Sequence, residues 1–181
     1  MTVFVSGGAK NGKSSFAQDL AVKLANGGRH YYVATMIPSD AEDRERIQKH
    51  LDDREGLGFE TIESGRNILS CHDKTEKDAT FLLDSVTALL MNELFPDPVS
   101  GVMDTEAACR CAENLVTFAQ SIGNAVLVSD FIYSDAVRYD ETTETFRAGL
   151  AAIDRRLAAV CDTVIEAAAG NIIVHKGEAL L

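Results

Sequence analysis

Cysteine, positive charge and long apolar runs are all scarce in this chain of 181 residues. Its four cysteines are too few and too irregularly spaced for a disulfide framework, and we assign them no metal or redox role. The chain has only 17 lysines and arginines but 28 aspartates and glutamates, so its formal net charge of −11 opposes binding to a nucleic-acid backbone. No run approaches the roughly 18 apolar residues of a membrane span, and no basic leader precedes an apolar stretch. We therefore expect a cytoplasmic protein with no membrane span and no nucleic-acid partner.

The most informative feature that is present is a glycine-rich stretch near the amino terminus. It consists of Gly7, Gly8, Ala9, Lys10, Asn11, Gly12, Lys13 and Ser14. It follows the apolar run of residues 3–5 and leads into a helical pattern formed by Phe16, Leu20 and Leu24. A strand, the pattern G-x-x-x-x-G-K-S and a helix, in that order, are the context that a phosphate-binding loop requires.

The residue types in this loop suit the phosphates of ATP or GTP. Gly7 and Gly12 let consecutive backbone N–H groups turn tightly and approach the phosphates. Lys13 can reach the β- and γ-phosphates, Lys10 adds a second cation, and the Ser14 hydroxyl can ligate Mg²⁺. A glycine-rich turn that binds nothing is the alternative, but the flanking strand and helix favour a nucleotide site.

The rest of the chain alternates apolar runs with helical patterns. Runs rich in β-branched residues cover 2–6, 31–35, 80–84 and 125–129, and the clearest helical stripes cover 108–122 and 146–160. This alternation predicts an α/β fold of the P-loop NTPase type, with a mostly parallel, doubly wound sheet. The tail has apolar residues at 163–165 and 172–174 around a Gly-Asn turn, which predicts a C-terminal antiparallel edge. Because 46% of the residues are hydrophobic and no low-complexity tract interrupts them, we expect residues 1–181 to form one domain.

Two aspartates end apolar runs and are candidates to support the metal. Asp84 follows residues 80–83 and is our first choice, because P-loop enzymes place such an acid at the end of a strand. Asp130 repeats the pattern after residues 126–129. Either carboxylate could instead make ordinary turn hydrogen bonds. Adjacency to Ser14 is the geometric test that separates the two.

A highly charged helical stretch follows the second predicted strand. Ser39 and Glu42 have the spacing of a capping box, and Ile47 and Leu51 form only a thin apolar edge. Most of the stretch must therefore face water or a ligand. His50 is either a solvated surface histidine or a nucleophile, because a neutral imidazole can attack the α-phosphorus of a nucleoside triphosphate and expel pyrophosphate. In the second case we expect the helix to move toward the nucleotide, or a neighbouring subunit to cover it.

Four features together resemble one known family. They are the loop at 7–14, the strand end Tyr32-Val33-Ala34-Thr35, the helix Arg46-Ile47-Gln48-Lys49-His50 with Asp52 and Arg54 after it, and the segment 59–63. In these features the chain is similar to the bifunctional adenosylcobinamide kinase / adenosylcobinamide-phosphate guanylyltransferase family of cobalamin assembly. Order and spacing agree across the amino-terminal third, and more loosely to the end of the chain.

The resemblance implies specific roles for residues of this sequence. It implies that His50 becomes guanylylated. From the chemistry of the loop itself, we expect Lys13 to be the second catalytic residue, and Ser14 with Asp84 to hold the metal. The resemblance also implies that the nucleotide site is lined by Ala34, Thr35, Met36, Leu51, Asp52, Asp53, Arg54, Glu63 and Asp84. Arg54 can pair with phosphate oxygens and Glu63 with guanine or ribose hydrogens, although read separately both are ordinary surface charges.

The implied activity has two steps. A member of this family uses ATP or GTP, with Mg²⁺, to phosphorylate the corrinoid adenosylcobinamide, and then transfers GMP from GTP to that phosphate. Family members also assemble as homo-oligomers. Two alternatives stay open: a P-loop kinase for another small alcohol, with His50 a bystander, and a nucleotide-binding switch without turnover.

This chain also departs from the family's pattern. Lys49 stands where the family has the first of two histidines, Asp53 stands where a glycine is usual, and Asp84 replaces a glutamate. The largest departure is at residues 129–135, which replace an Asn-Glu-Val-Gly segment. We expect this segment to shape the corrinoid side of the site.

Overall fold

The computed structural model describes residues 1–76 and 78–178. The strands are β1 (Thr2–Gly7), β2 (His30–Ala34), β3 (Glu60–Glu63), β4 (Thr80–Asp84), β5 (Asn124–Asp130), β6 (Thr163–Ala168) and β7 (Asn171–Lys176). The α-helices are α1 (Lys13–Ala25), α2 (Ala41–Asp53), α3 (Val86–Leu94), α4 (Ala107–Ser121) and α5 (Glu141–Val160). A 3₁₀ helix covers Ile68–Lys74. Within residues 1–76 and 78–178, no helix is both long and apolar enough to cross a bilayer.

All of these strands join one sheet in the order β3-β2-β4-β5-β1-β6-β7. Strands β1 to β6 run parallel to their neighbours, and β7 pairs antiparallel with β6. The predicted α/β sheet with a C-terminal antiparallel edge is confirmed. The prediction did not include β3, because this edge strand exposes Glu60, Thr61 and Glu63 and lacks an apolar run.

Apolar side chains fill both faces of the sheet, as expected for strands covered on two sides. One layer packs helices α3, α4 and α5 on strand residues such as Phe81, Leu83 and Leu127. The other layer packs α1 on the alternate residues, among them Val5, Leu82 and Val126. These two layers fix the strand order, and the strand order decides which strand ends meet at one edge.

The carboxyl ends of the parallel strands meet at that edge. In the sheet register, Gly7 of β1 lies beside Asp130 of β5, and Asp84 of β4 lies beside Ala34 of β2. Ligands of open α/β sheets bind in the crevice outside these strand ends. The glycine-rich loop and both candidate acids therefore face one crevice.

Candidate nucleotide site

The glycine-rich loop is held tightly against the sheet. A Cβ atom at Gly7 would lie 2.5 Å from the Ala167 carbonyl oxygen, so no other residue fits there. The Asn11 side-chain amide donates to the same carbonyl at 3.0 Å. Gly12 precedes α1 with a left-handed φ of 79°, and because it has no side chain, the first N–H groups of α1 stay open to an anion. Contacts within the protein thus fix the conformation of the loop.

Lys13 is buried at the start of α1, and its charge is already paired. Its ammonium group lies 2.5 Å from an Asp130 carboxylate oxygen and donates to the Gly8 carbonyl at 3.2 Å. The backbone N–H of Asp130 donates to the Thr87 hydroxyl at 2.9 Å, which ties the end of β5 to the start of α3. Asp130 is therefore the acid beside the lysine.

Asp84 is the acid beside Ser14. The Ser14 and Tyr32 hydroxyls both hydrogen-bond to the Asp84 carboxylate, the latter at 3.3 Å. Burial raises the pKa of Asp84, and the nearby carboxylate of Asp130 adds to that rise, while His50, Ser14 and Lys13 oppose it. The groups that act on Asp84 belong to α1, α2 and β5, so all three elements contribute to the environment of this carboxylate.

Ser14 and Asp84 together offer two oxygen ligands of the kind that Mg²⁺ prefers. Within the part of the chain that the structure describes, no group of three or more His, Cys, Asp or Glu side chains could hold a metal ion. This donor set fits Mg²⁺, because that ion is commonly bound by one or two carboxylates together with substrate phosphates and water. The fit depends on a nucleotide supplying the remaining oxygens.

His50 projects from α2 toward this cluster. Every residue of α2 keeps part of its surface exposed, as the thin apolar edge of the sequence predicts. The His50 ring is half-buried, and its Nδ1 atom is buried without a hydrogen-bond partner among the described residues. Among the groups that lower the pKa of Asp84, His50 has the largest effect, so the imidazole acts electrostatically on that carboxylate. The movement of α2 toward a bound nucleotide stays a prediction.

The start of α2 differs by one residue from the predicted capping box. The N-cap is Asp40, whose carboxylate accepts from the Asp43 N–H at 2.8 Å. The Asp43 carboxylate in turn accepts from the N–H and hydroxyl of Ser39 at 3.0 and 2.7 Å. The predicted Ser39–Glu42 pairing is wrong, because Asp40 is the better-placed acceptor and Glu42 pairs with Arg46 at 2.6 Å instead.

Arg54 attaches the end of α2 to the sheet. It is only 7% exposed, and its guanidinium carbon lies 3.7 Å from the centre of the Tyr32 ring. The same group donates to the His50 carbonyl at 2.7 Å and to the Thr61 hydroxyl at 3.3 Å. Arg54 thus connects the strand that carries Tyr32 to the residue that carries the imidazole.

The other positions that the resemblance implied are distributed unevenly around the crevice. Leu51, Asp52 and Asp53 are exposed at the end of α2, and Glu63 is exposed at the end of the edge strand, two strands away from Asp84. Ala34 and Met36 are half-buried near the crevice. Thr35 is fully buried, and its hydroxyl exchanges hydrogen bonds with the Ser85 backbone at 2.7 and 2.8 Å. The structure therefore gathers the loop, Asp84 and His50, and leaves the α2 end and Glu63 at the periphery.

Sequence reasoning missed a buried acid beneath the site. Asp154 of α5 accepts from the Ser129 hydroxyl at 2.8 Å and from the Tyr133 hydroxyl at 2.9 Å. Burial raises the pKa of Asp154 to about 6. The sequence does carry a signal for this buried acid, because position 154 falls within the apolar stripe of α5, between Leu150 and Leu157. An acid on a core-facing position needs such partners.

A glycine loop over a parallel sheet, with a lysine, a serine and a strand-end aspartate in one crevice, defines a P-loop nucleotide-binding protein. Solved structures agree with this fold. One solved ATPase domain is 10% identical, with a TM-score of 0.54 over 97% of this chain and 76% of that one. A Pyrococcus horikoshii OT3 protein is also 10% identical, with a TM-score of 0.51 over 99% of this chain and 87% of that one.

The particular family follows from the sequence match. The chain belongs to the cobinamide kinase / cobinamide phosphate guanyltransferase family, whose model matches residues 3–174. It is similar to the bifunctional adenosylcobalamin biosynthesis protein CobU of Salmonella typhimurium, with 29% identity over 184 residues that cover 91% of this chain and 93% of that one. The resemblance drawn from the loop and the His50 helix is confirmed.

Proposed function

We propose that this protein phosphorylates adenosylcobinamide with ATP or GTP, and then transfers GMP from GTP to the resulting phosphate. The observation that most supports the second step is the environment of His50: its half-buried ring acts electrostatically on Asp84, and its buried Nδ1 has no hydrogen-bond partner within residues 1–76 and 78–178. Membership of the family supports the choice of substrates. The exposed helix α2 supports a homo-oligomer, because a second subunit would cover it.

In the phosphoryl step, the acceptor hydroxyl oxygen attacks the γ-phosphorus, and the bond from that phosphorus to the β,γ-bridging oxygen breaks. ADP or GDP leaves. Lys13 turns from Asp130 to the phosphates and stabilises their charge, which frees the Asp130 carboxylate to take the hydroxyl proton. The open N–H groups at the start of α1 bind the phosphates from below.

In the guanylyl step, a ring nitrogen of His50 attacks the α-phosphorus of GTP, and the bond to the α,β-bridging oxygen breaks. Pyrophosphate leaves, and GMP stays bound to the histidine. A phosphate oxygen of adenosylcobinamide phosphate then attacks the same phosphorus and displaces the imidazole. The product is adenosylcobinamide-GDP, and His50 is restored. Arg54 holds the carbonyl of His50 and so orients the ring.

Ser14 and Asp84 are the residues that would hold Mg²⁺. When bound, the ion supplies positive charge that neutralises the phosphate oxygens. Burial of Asp84 and its hydrogen bonds from Ser14 and Tyr32 keep its carboxylate oriented toward the loop. Asp130, the alternative considered for this role, is engaged with Lys13 instead.

The deciding experiment is incubation of the protein with α-labelled GTP and Mg²⁺, followed by denaturing electrophoresis. We expect a protein-bound label that is acid-labile and base-stable, as a phosphoramidate is, and that disappears in His50→Ala. The matched control is His175→Ala, because His175 is an exposed histidine on β7 that pairs with Glu166. Its label should match the wild type.

Assays of γ-phosphoryl transfer and of ADP and pyrophosphate release, run beside the labelling, distinguish the alternatives. A P-loop kinase for another alcohol would transfer the γ-phosphoryl group with His50→Ala as well as with the wild type, and would carry no bound GMP. A nucleotide-binding switch would release neither ADP nor pyrophosphate when adenosylcobinamide is added. Either result would remove the guanylyltransferase step from the proposal.

A further inference from the structure

A cavity of about 580 Å³ opens beside the segment that follows Asp130. This volume is in the range of small-molecule binding sites. Its main walls are the end of α3, the segment after β5 and the first turns of α5, with Met91, Phe95, Phe131, Ile132, Tyr139 and Phe146 as the largest apolar contributors. The steps proposed above leave this cavity without a role.

One wall of the cavity is connected to the nucleotide site. The backbone N–H of Phe131 donates to the carbonyl of Gly7 at 2.9 Å, so one wall is attached to the first glycine of the loop. The residue before Phe131 is Asp130, which pairs with Lys13. On the opposite wall, Met91 lies one helical turn after Thr87, whose hydroxyl holds the Asp130 backbone. A ligand in the cavity would therefore reach the Lys13–Asp130 pair with one end.

Arg147 holds one wall of the cavity in place. This buried arginine donates to the Ile132 and Val137 carbonyls at 3.2 and 3.4 Å. It also forms ion pairs with Asp135 and Glu144, each at 2.9 Å. One side chain thus fixes the irregular segment 131–140 at several points and keeps the cavity open.

Charge excludes a second nucleotide here. Arg147 is the cation among the lining residues, and both of its acidic partners balance it, so the wall presents no positive charge for a phosphate. The large contributors are apolar, with a few hydroxyls such as those of Ser134 and Thr143 between them. This surface suits an uncharged ligand that carries methyl groups and amides.

We propose that the cavity binds one edge of the corrin ring of the acceptor, through its methyl groups and amide arms. A corrin with all its arms is larger than the cavity, so only one edge enters, and the hydroxyl that accepts the phosphoryl group lies at Asp130 and Lys13. This inference rests on the proposed function, which supplies the corrinoid. The walls include Phe131, Ile132, Ser134 and Asp135, which lie in the segment where the chain departs from its family's pattern, so the contacts are particular to this protein.

The test measures binding of cobinamide by equilibrium dialysis, followed through the absorbance of the corrin. Phe131→Ala and Met91→Asp should each weaken binding at least tenfold and raise the KM for adenosylcobinamide, with kcat nearly unchanged. Labelling of His50 by GTP should match the wild type, which also verifies folding. The matched control is Ile173→Ala, because Ile173 on β7 and Phe131 are both 43% exposed. It should bind cobinamide normally.

The failures are distinguishable. If the wild type binds no cobinamide, the proposed function is wrong and this inference fails with it. If the wild type binds but both cavity variants bind equally well, only the inference fails. If Met91→Asp instead turns an oligomer into a monomer in sedimentation and leaves cobinamide binding intact, a second copy of the chain covers the cavity, which also overturns the inference.

Discussion

Helices α1 and α2 have 13 residues each and follow the first two strands, yet they are held in opposite ways. Helix α1 buries Ala17, Leu20 and Ala21 against the sheet. Helix α2 buries none of its residues and is held by its Asp40 cap and by Arg54 just beyond its end. Each nevertheless brings a functional side chain to Asp84: Ser14 from α1 and His50 from α2.

In the proposed function, this difference between α1 and α2 separates nucleotide binding from group transfer. Apolar burial contributes about 1.5–3 kcal/mol per large side chain, whereas an exposed cap or hydrogen bond contributes about 1 kcal/mol. We therefore expect the helix that carries Lys13 to be held more firmly to the sheet than the helix that carries His50. A nucleophile that must approach GTP and then release its product benefits from the looser support.

The largest effect is expected on the rigid side, from Lys13→Ala. Loss of this cation should lower phosphoryl transfer to adenosylcobinamide by on the order of 10³, equivalent to ~4 kcal/mol, because the charge on the phosphates loses its stabilisation. The measurement is the steady-state rate of ADP formation. Asp19→Asn on the exposed face of α1 is the control and should stay within twofold. A loss under tenfold for Lys13→Ala would contradict the role of the lysine.

A pair of leucines compares the stability of the two helices directly. Leu20 of α1 is 4% exposed and Leu51 of α2 is 41% exposed. Leu20→Ala should lower the free energy of unfolding by about 3 kcal/mol, since it leaves a cavity in the core, while Leu51→Ala should change it by less than about 0.5 kcal/mol. Urea titrations measure both. Equal losses would mean that α2 is packed as firmly as α1.

A smaller effect is expected from Arg54→Ala. Loss of the bond to the His50 carbonyl and of the contact with Tyr32 should slow GMP attachment to His50 about tenfold, an effect of ~1.4 kcal/mol. Phosphoryl transfer should change less than threefold, because Lys13 and Asp130 are untouched. Arg54→Lys, which keeps the charge and one donor, should restore part of the labelling rate. An equal loss in both reactions would argue for direct contact of Arg54 with the nucleotide instead.

The smallest effect expected is a shift in pH dependence. Burial raises the pKa of Asp84, and His50 opposes that rise, so His50→Gln should raise the pKa of Asp84 further. A carboxyl with a higher pKa takes up its proton at higher pH and then cannot serve Mg²⁺. The acid limb of magnesium-GTP binding should therefore move to higher pH in His50→Gln, as followed with a fluorescent GTP analogue. His175→Gln should leave the limb in place, and a shift in that variant would show that the effect is not local.

Local patterns predicted most of the fold. Residues 80–84 form β4 as predicted, and the antiparallel tail and the two long helical stripes are present because each repeats an apolar period over several residues. Strand β3 was not predicted, because it lies at a polar edge of the sheet. The N-cap of α2 was predicted one residue too early, because Ser39, Asp40 and Glu42 are all capable capping residues. In a short polar segment, several neighbouring side chains can make the same capping hydrogen bond, and the local sequence does not select one of them.

The candidate site divides in the same way. The glycine loop and its lysine and serine are contiguous, so eight residues of sequence are enough to predict phosphate binding. The pairing of Lys13 with Asp130, of Ser14 with Asp84, and of Arg54 with Tyr32 joins residues that are distant along the chain. These contacts exist because the strand order puts β5 beside β1 and β4 beside β2.

The amino-acid sequence was therefore sufficient for the class of fold, the phosphate-binding loop and the family, since each depends on neighbours along the chain. Folding of the sheet paired one aspartate with the lysine and the other with the serine, brought an imidazole within electrostatic reach of the second, and formed a cavity next to the segment that follows the first. Such choices depend on distances between strands and helices, and a one-dimensional pattern does not contain those distances.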